Sequence, residues 1–494
     1  MSKPVSRREA LVLGLVGVGS LGIGIAGLTS SGGILPWRNS TGSDAGSSGA
    51  GSGAAFAEPK VLSSSGGVLE LDLRVAEATV AVAGNTARML TYNGTVPGPT
   101  LHVRPGDTLR VRLINDLDQP TNLHTHGLVV SAEGNSDNPF VEVGPGESFD
   151  YEITLPDDHP HGAFWYHPHH HGFVADQVFA GLYGAIVVDA DDWSAGAPRV
   201  VVVSDVTLAG GAVASVSDGE RLHGRVGKQV LTNGLAAPLL SIAPGATGRL
   251  LIVNACVSRY LDLGGVPMGV RGIDSGAFDP PRATDRLLLM PGNRADIVIE
   301  APAKSTALMA RAYNRGAGEM GMMSMSGGVE ESDATILTLV PDAAAVTGVS
   351  APAVTVPRDL RELTVDRSRT VTLGTAMGGG MAMGDGESMG DGMTYVIDGR
   401  SFDPARIDQS VSIGAVEEWT LVNSSMMEHP FHLHVWPMQL VEAKGVDVRD
   451  VVNVPAGESV TVRIAFDRFP GKTVYHCHIL DHEDLGMMGV LEAS

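Results

Sequence analysis

Only two cysteines occur in the 494 residues, Cys256 and Cys477, so no disulfide framework holds this chain together. Basic residues are scarce too: 34 Lys and Arg stand against 56 Asp and Glu, a formal net charge of −22. A surface that acidic repels phosphate backbones and anionic lipid, which excludes nucleic acid as a partner. Long apolar runs are also lacking. The uncharged stretch Leu11–Leu28 is marginal as a membrane span, which needs about 20 residues, and its glycines argue against a buried helix. Because Arg7 and Arg8 precede it, it reads as a twin-arginine export signal, either cleaved or kept as an anchor. No cysteine follows to carry a lipid. Thr29 to Ala57 is Ser/Gly-rich and reads as a tether, so residues 1–57 are expected to be signal or anchor plus linker, with the rest exported from the cytoplasm.

What is present points elsewhere. Hydrophobic residues at 43% and charged residues at 18% suffice for real cores and exclude global disorder. The 63 glycines indicate turn-rich β structure, and at roughly 150 residues per domain the length predicts about three domains. Two signatures recur three times in the same order. Asn93-Gly94, Asn233-Gly234 and Asp398-Gly399 each precede a strand-like run ending in Asn115, Asn254 or Asn423. Gly144-Pro145-Gly146-Glu147, Pro291-Gly292-Asn293-Arg294 and Pro455-Ala456-Gly457-Glu458 then lead into further alternating runs. Apolar residues alternate within each unit, as in Leu109, Val111 and Leu113 against Arg110 and Arg112. The period of two predicts an all-β chain of three tandem β-sandwich or Greek-key barrel domains, over 58–191, 192–350 and 351–494.

Histidines supply the chemistry. Four His-X-His pairs occur: His124/His126, His167/His169, His432/His434 and His476/His478. On a strand, residues i and i+2 point to one face, so each pair offers two imidazoles to a common side. Imidazole suits several metals, but Cys477 lies between the last pair and must face away from it. Two metal sites joined through three consecutive residues follow. Within reach of Cys477 are His482, Met487 and, from a separate strand, His429; one Cys, two His and a Met form the blue-copper ligand set. Met488 competes with Met487, and the spacing from Cys477 favours Met487. Eight histidines remain for a second centre, far more than a closed four-ligand zinc site uses. The middle third has a single histidine, His223, and no pair. His102, His159, His161, His170, His171 and His223 read as surface or structural residues, and Cys256 as a small core residue.

The segments His124-Thr125-His126-Gly127, Trp165-Tyr166-His167-Pro168-His169, His429-Pro430-Phe431-His432-Leu433-His434 and His476-Cys477-His478 through His482 and Met487 resemble the signature segments of three-domain multicopper oxidases. That group includes laccases, bilirubin oxidases and bacterial cuprous oxidases. The resemblance implies cupredoxin-like domains and four copper ions. It makes His429, Cys477, His482 and Met487 the mononuclear site, His124 and His432 the type 2 ligands, and His126, His167, His169, His434, His476 and His478 the type 3 ligands. It implies a monomer in which electrons pass from a donor through Cys477 to a cluster that reduces O₂ to two waters. Acids near the positions of Glu483 and Asp137 relay protons in the family; Glu483 matches well, whereas for Asp137 relay and solvated turn residue stand level.

The donor is less determined. A laccase-like oxidase of phenols or aromatic amines needs only an accessible mononuclear site. A metallo-oxidase of Cu(I), or of Mn(II) or Fe(II), serving copper tolerance is the alternative. Met320, Met322, Met323 and Met325 cluster, as do Met377, Met381, Met383, Met389 and Met393, with Asp385, Glu387 and Asp391 among the second set. Thioethers are soft and prefer Cu(I), although a flexible cover over the site explains them equally well.

Overall fold

The computed structural model describes residues 53–189, 197–316, 331–345, 354–377 and 393–494. The arginine pair and apolar run near the N-terminus, Met320–Met325, and Met381–Met389 with Asp385, Glu387 and Asp391 lie outside these residues.

The repeat signatures become a repeated piece of topology. In the first third, strand Val68–Val82 pairs antiparallel with Asn85–Tyr92 and parallel with Thr108–Asn115. The middle third repeats this with Arg199–Val206 between Gln229–Thr232 and Thr247–Asn254. In the last third Arg367–Met377 lies between Met393–Ile397 and Val416–Asn423. The Asn/Asp-Gly turns have positive φ at both positions in all three copies, from +51° to +52° at the first residue and from +73° to +80° at the glycine. This conformation is easy for Gly and tolerated by Asn and Asp, hence the recurring dipeptide.

The recurring asparagine is a lock. Asn115, Asn254 and Asn423 end their strands buried, and each Oδ1 accepts the N–H two residues on. Each Nδ2 donates to carbonyls of two other loops: Gln119 and Val143, Arg259 and Leu289, Met427 and Val454. Each Pro/Gly turn then feeds an antiparallel partner: Ser148–Thr154, Arg294–Glu300 or Ser459–Ala465. The described residues are nearly all β, their helices reduced to short turns such as Val174–Phe179, Asp218–His223 and Leu480–Asp484.

The outer thirds each add a second, five-stranded sheet, whereas the middle third forms one nine-stranded sheet. Apolar cores fill each unit, exemplified by Leu109 and Phe164, by Ile252 and Leu289, and by Trp419 and Phe431. A fourth core, with Val178, Val202 and Val253, joins the first and middle thirds. Two segments cross the expected boundaries. Ala212 in the hairpin 208–213 pairs with Arg88 of the first third. The end of the expected tether is seated: Phe56 N donates to Leu239 O at 2.8 Å, and its ring packs on the middle core.

Candidate metal centre

Two strand pairs carry the site. His124–His126 runs antiparallel to Gly162–His167, placing His124 opposite His167. His429–Leu433 runs antiparallel to Gly471–Cys477, placing His432 opposite His476 and Phe431 opposite Cys477. Alternation then turns His432 and His476 to one side and Cys477 to the other. His169, His434 and His478 lie just beyond the strand ends.

The eight paired histidines are all buried and converge between the first and last thirds. His126, His167 and His478 bring ring nitrogens within 4.8 Å of one another, as do His169, His434 and His476, and as do His124, His126 and His432. His476 Nε2 stands 3.1 Å from His169 Nε2 and 3.2 Å from His434 Nε2. His478 Nε2 stands 3.2 Å from His126 Nδ1. Both histidines of a pair do face one cluster, but His167 and His169 fall in different triads, and so do His476 and His478. The period of two gives the common side; the strand ends divide it.

The ring nitrogens are arranged as a bound metal ion requires. His124 Nδ1 is bonded to Asp137 (3.0 Å), His167 Nδ1 to Pro168 O (2.8 Å) and His432 Nδ1 to Asp450 O (2.8 Å). The opposite Nε2 atoms of these three rings are buried and lack a hydrogen-bond partner among the described residues. Such atoms cost about 1–3 kcal/mol each if left unsatisfied. Fixing one nitrogen by an outer partner and aiming the other at a shared space is how metal-bound histidine is held. Softness and geometry of the donors fit copper.

On the other face, Cys477 Sγ lies 3.4 Å from His429 Nδ1 and 3.8 Å from His482 Nδ1, and the two imidazole nitrogens are 3.3 Å apart. Met487 is fully buried in the same core as Cys477, whereas Met488 pairs with His476 in the strand. Ser425 Oγ bonds His429 Nε2 at 2.8 Å, and the Tyr395 ring stacks on His482 at 3.9 Å. Burial pushes the Cys477 thiol up, so metal binding must displace its proton.

The two acids differ. Glu483, fully buried, lies 3.1 Å from His476 Nδ1 and 3.6 Å from His169 Nε2. Burial would raise its carboxyl, but the His476 and His169 imidazoles outweigh that and hold it at about 2. Asp137 is pushed up to about 7 by burial, against the Thr125 N–H that donates to it at 2.8 Å. It is therefore no solvated turn residue. Burial pushes His167 and His429 down to about 3 and His169 to about 4. An unfolded histidine takes up a proton below about pH 6.5 while these cannot, so stability present above that pH is lost as pH falls towards the folded values. Metal-free protein is expected to melt at lower temperature at pH 5 than at pH 7, each histidine kept neutral contributing up to about 1.4 kcal/mol per pH unit. A flat melting temperature from calorimetry across that range would contradict this.

The remaining histidines divide. His159 Nε2 accepts from Val129 N at 3.0 Å and His102 is buried, so both are structural; His161 is exposed. His170 and His171 lie in the loop, as expected. Cys256 is buried in the middle core. Tyr395, Asp450 and Arg294 gave no signal in the sequence, because each reaches the site through long-range pairing; Ser425 lies four residues before His429, but a lone serine carries no ligand pattern.

Fold and ligand sets together define a copper-dependent oxidoreductase built from cupredoxin-like domains. Residues 74–192 and 377–494 match family models for multicopper oxidases. The chain is 26% identical over 432 residues to the multicopper oxidase mco of Staphylococcus aureus, covering 83% of this chain and 85% of that one. Among solved structures, a Campylobacter jejuni multicopper oxidase described as a metallo-oxidase superposes with a TM-score of 0.74 at 29% identity, covering 89% of this chain and 95% of that one. A laccase-like multicopper oxidase from Ochrobactrum sp. gives 0.73 at 24%, with 89% and 100% covered, a likeness of fold. The chain belongs to the multicopper oxidases, enzymes that use O₂ and an electron donor.

Proposed function

We propose that this enzyme holds four copper ions and oxidises a metal ion, Cu(I) foremost, in copper tolerance. His429, Cys477, His482 and Met487 hold the mononuclear ion. His124 and His432 hold the type 2 ion, and the two triads around His476 and His478 hold the type 3 pair. Copper in these sites supplies the one-electron and oxygen-reducing chemistry. Cys477 would be a ligand of the ion that accepts the donor's electron, and its two neighbours, His476 and His478, would join that ion to the cluster through a single covalent step each way. Glu483, ionised and wedged between His476 and His169, passes protons towards the cluster, while Asp137 holds the His124 ring and takes a proton near neutrality.

The observation that carries the donor class is where the methionine-rich segments are anchored. Met377 and Met393 are cross-strand partners, and the strand continues to Tyr395, stacked on His482. The other segment leaves from Arg315-Gly316, and Arg315 O accepts from Glu428 N, directly before His429. His482 itself is fully buried, and Tyr395 donates to Leu222 O at 2.5 Å in the helix Asp218–His223. A covered imidazole suits a small soft cation delivered by thioethers better than a planar phenol. Deleting residues 378–392 is expected to lower kcat/KM for Cu(I) by about tenfold or more, with phenol and aromatic-amine oxidation kept. Unchanged Cu(I) turnover would return the enzyme to the laccase-like reading. The arginine pair and apolar run support export of the monomeric enzyme from the cytoplasm.

A further inference from the structure

The middle third carries no candidate ligand, yet it reaches the cluster. Its turn at Gly292, φ +87°, packs so tightly on His478 that an added Cβ would lie 2.8 Å from the ring. Two residues on, the buried Arg294 side chain enters the seam between the outer thirds. Its Nη1 and Nη2 donate to Asp450 Oδ1 at 2.5 Å and Oδ2 at 2.6 Å, and its Nε donates to Ala163 O at 3.1 Å. Asp450 Oδ1 also lies 3.0 Å from His126 Nε2, and its backbone carbonyl accepts from His432 Nδ1 at 2.8 Å. One residue thus orients an imidazole through its side chain and a second through its main chain. Asp274, from the middle third, fixes this pair in turn. It accepts from Arg294 N at 2.9 Å, Asn293 Nδ2 at 2.8 Å and Asp450 N at 3.1 Å. A Cβ on Gly127, next to His126, would collide with both Arg294 and Asp450, which leaves glycine the residue that fits.

We propose that Arg294 and Asp450 are positioning residues for the copper cluster: the guanidinium from the metal-free third locks the Asp450 carboxylate, which holds His126 with Nδ1 turned to its copper. This rests on the reading of the paired histidines as copper ligands. The physical basis is twofold. Donation from Nε2–H to a carboxylate leaves Nδ1 as the lone-pair nitrogen and stops ring rotation. The planar fork of Arg matches both carboxylate oxygens at once, which a Lys ammonium cannot do. The middle third is thereby part of the site although it binds no metal.

Asp450→Asn and Arg294→Lys test this in the full-length, copper-loaded enzyme, both conserving volume so that no charge is left buried without a polar partner. Copper retention is read by metal analysis during titration with a chelator, beside the blue thiolate band and the melting temperature of the metal-free protein. Both variants are expected to keep the blue band and the metal-free melting temperature, with cluster copper held about 10–100-fold more weakly and KM for the donor unchanged. Wild-type retention of cluster copper in both variants overturns the proposal. So does loss of the blue band and the cluster together with a collapsed melting temperature, which is the mark of a merely structural pair. A wild-type protein that takes up only one copper overturns the ligand reading itself, and the clamp with it.

Discussion

Cys477→Ser is expected to bleach the enzyme and abolish donor oxidation while the paired histidines keep their copper. The sulfur sits 3.4 Å and 3.8 Å from the Nδ1 atoms of His429 and His482, and it is the soft ligand of the three. A serine hydroxyl is hard and stays protonated, so the mononuclear site loses both its affinity and its colour. It also loses the point at which the two sites are joined, since Cys477 alone touches the donor side while its neighbours face the cluster. Metal analysis should find one copper fewer per chain. Placing a hydroxyl in an apolar core costs about 1–3 kcal/mol, which lowers the melting temperature without unfolding the protein. A Ser variant that stays blue and oxidises the donor would remove Cys477 from the electron path.

Glu483→Gln is the second large effect. Glutamine keeps the size of a fully buried side chain but neither ionises nor carries a proton onward. Burial pushes the carboxyl up, and in the metal-free protein the His476 and His169 imidazoles beside it outweigh that and draw it down. General acid–base groups contribute about 10²–10⁴-fold, and kcat under O₂ should fall by that order. Copper content and donor KM should not move. Stopped-flow absorption separates the half-reactions: the donor should bleach the blue band at the wild-type rate, and its return under O₂ should be slow. Normal return of the colour would deny Glu483 a part in proton delivery.

Both residues were legible in the chain, and so was the threefold fold, because the signals are local. Asn93-Gly94 and its counterparts announce turns that need positive φ, and Asn115, Asn254 and Asn423 mark strand ends by where their amides can reach. The histidine pairs use the period of two, and Cys477 betrays the second face. What could not be read was everything fixed by register between distant strands. The division of His167 from His169 and of His476 from His478 between triads depends on where strands stop. Arg294 meets Asp450 across 156 residues, and Tyr395 stacks on His482 from the strand Met393–Ile397, far earlier in the chain. The seating of Phe56 on the middle third was hidden because Ser/Gly composition speaks of freedom, whereas one aromatic ring in a core removes it. For Asp137 its neighbours left relay and solvated turn residue level; only the fold turns it onto His124.

His126 and His478 meet although 352 residues separate them, and His169 and His476 although 307 do. Neither outer third alone can therefore assemble one of the triads of paired histidines, and metal held there would act as a clasp between the two ends of the chain. That clasp closes only after both outer thirds have been built, unlike the site of His429, Cys477 and His482, which the last third carries by itself. Once shut, the clasp strengthens with free copper, by about 4 kcal/mol at a thousandfold excess over its dissociation constant. A cell rich in copper would thus toughen this enzyme against unfolding.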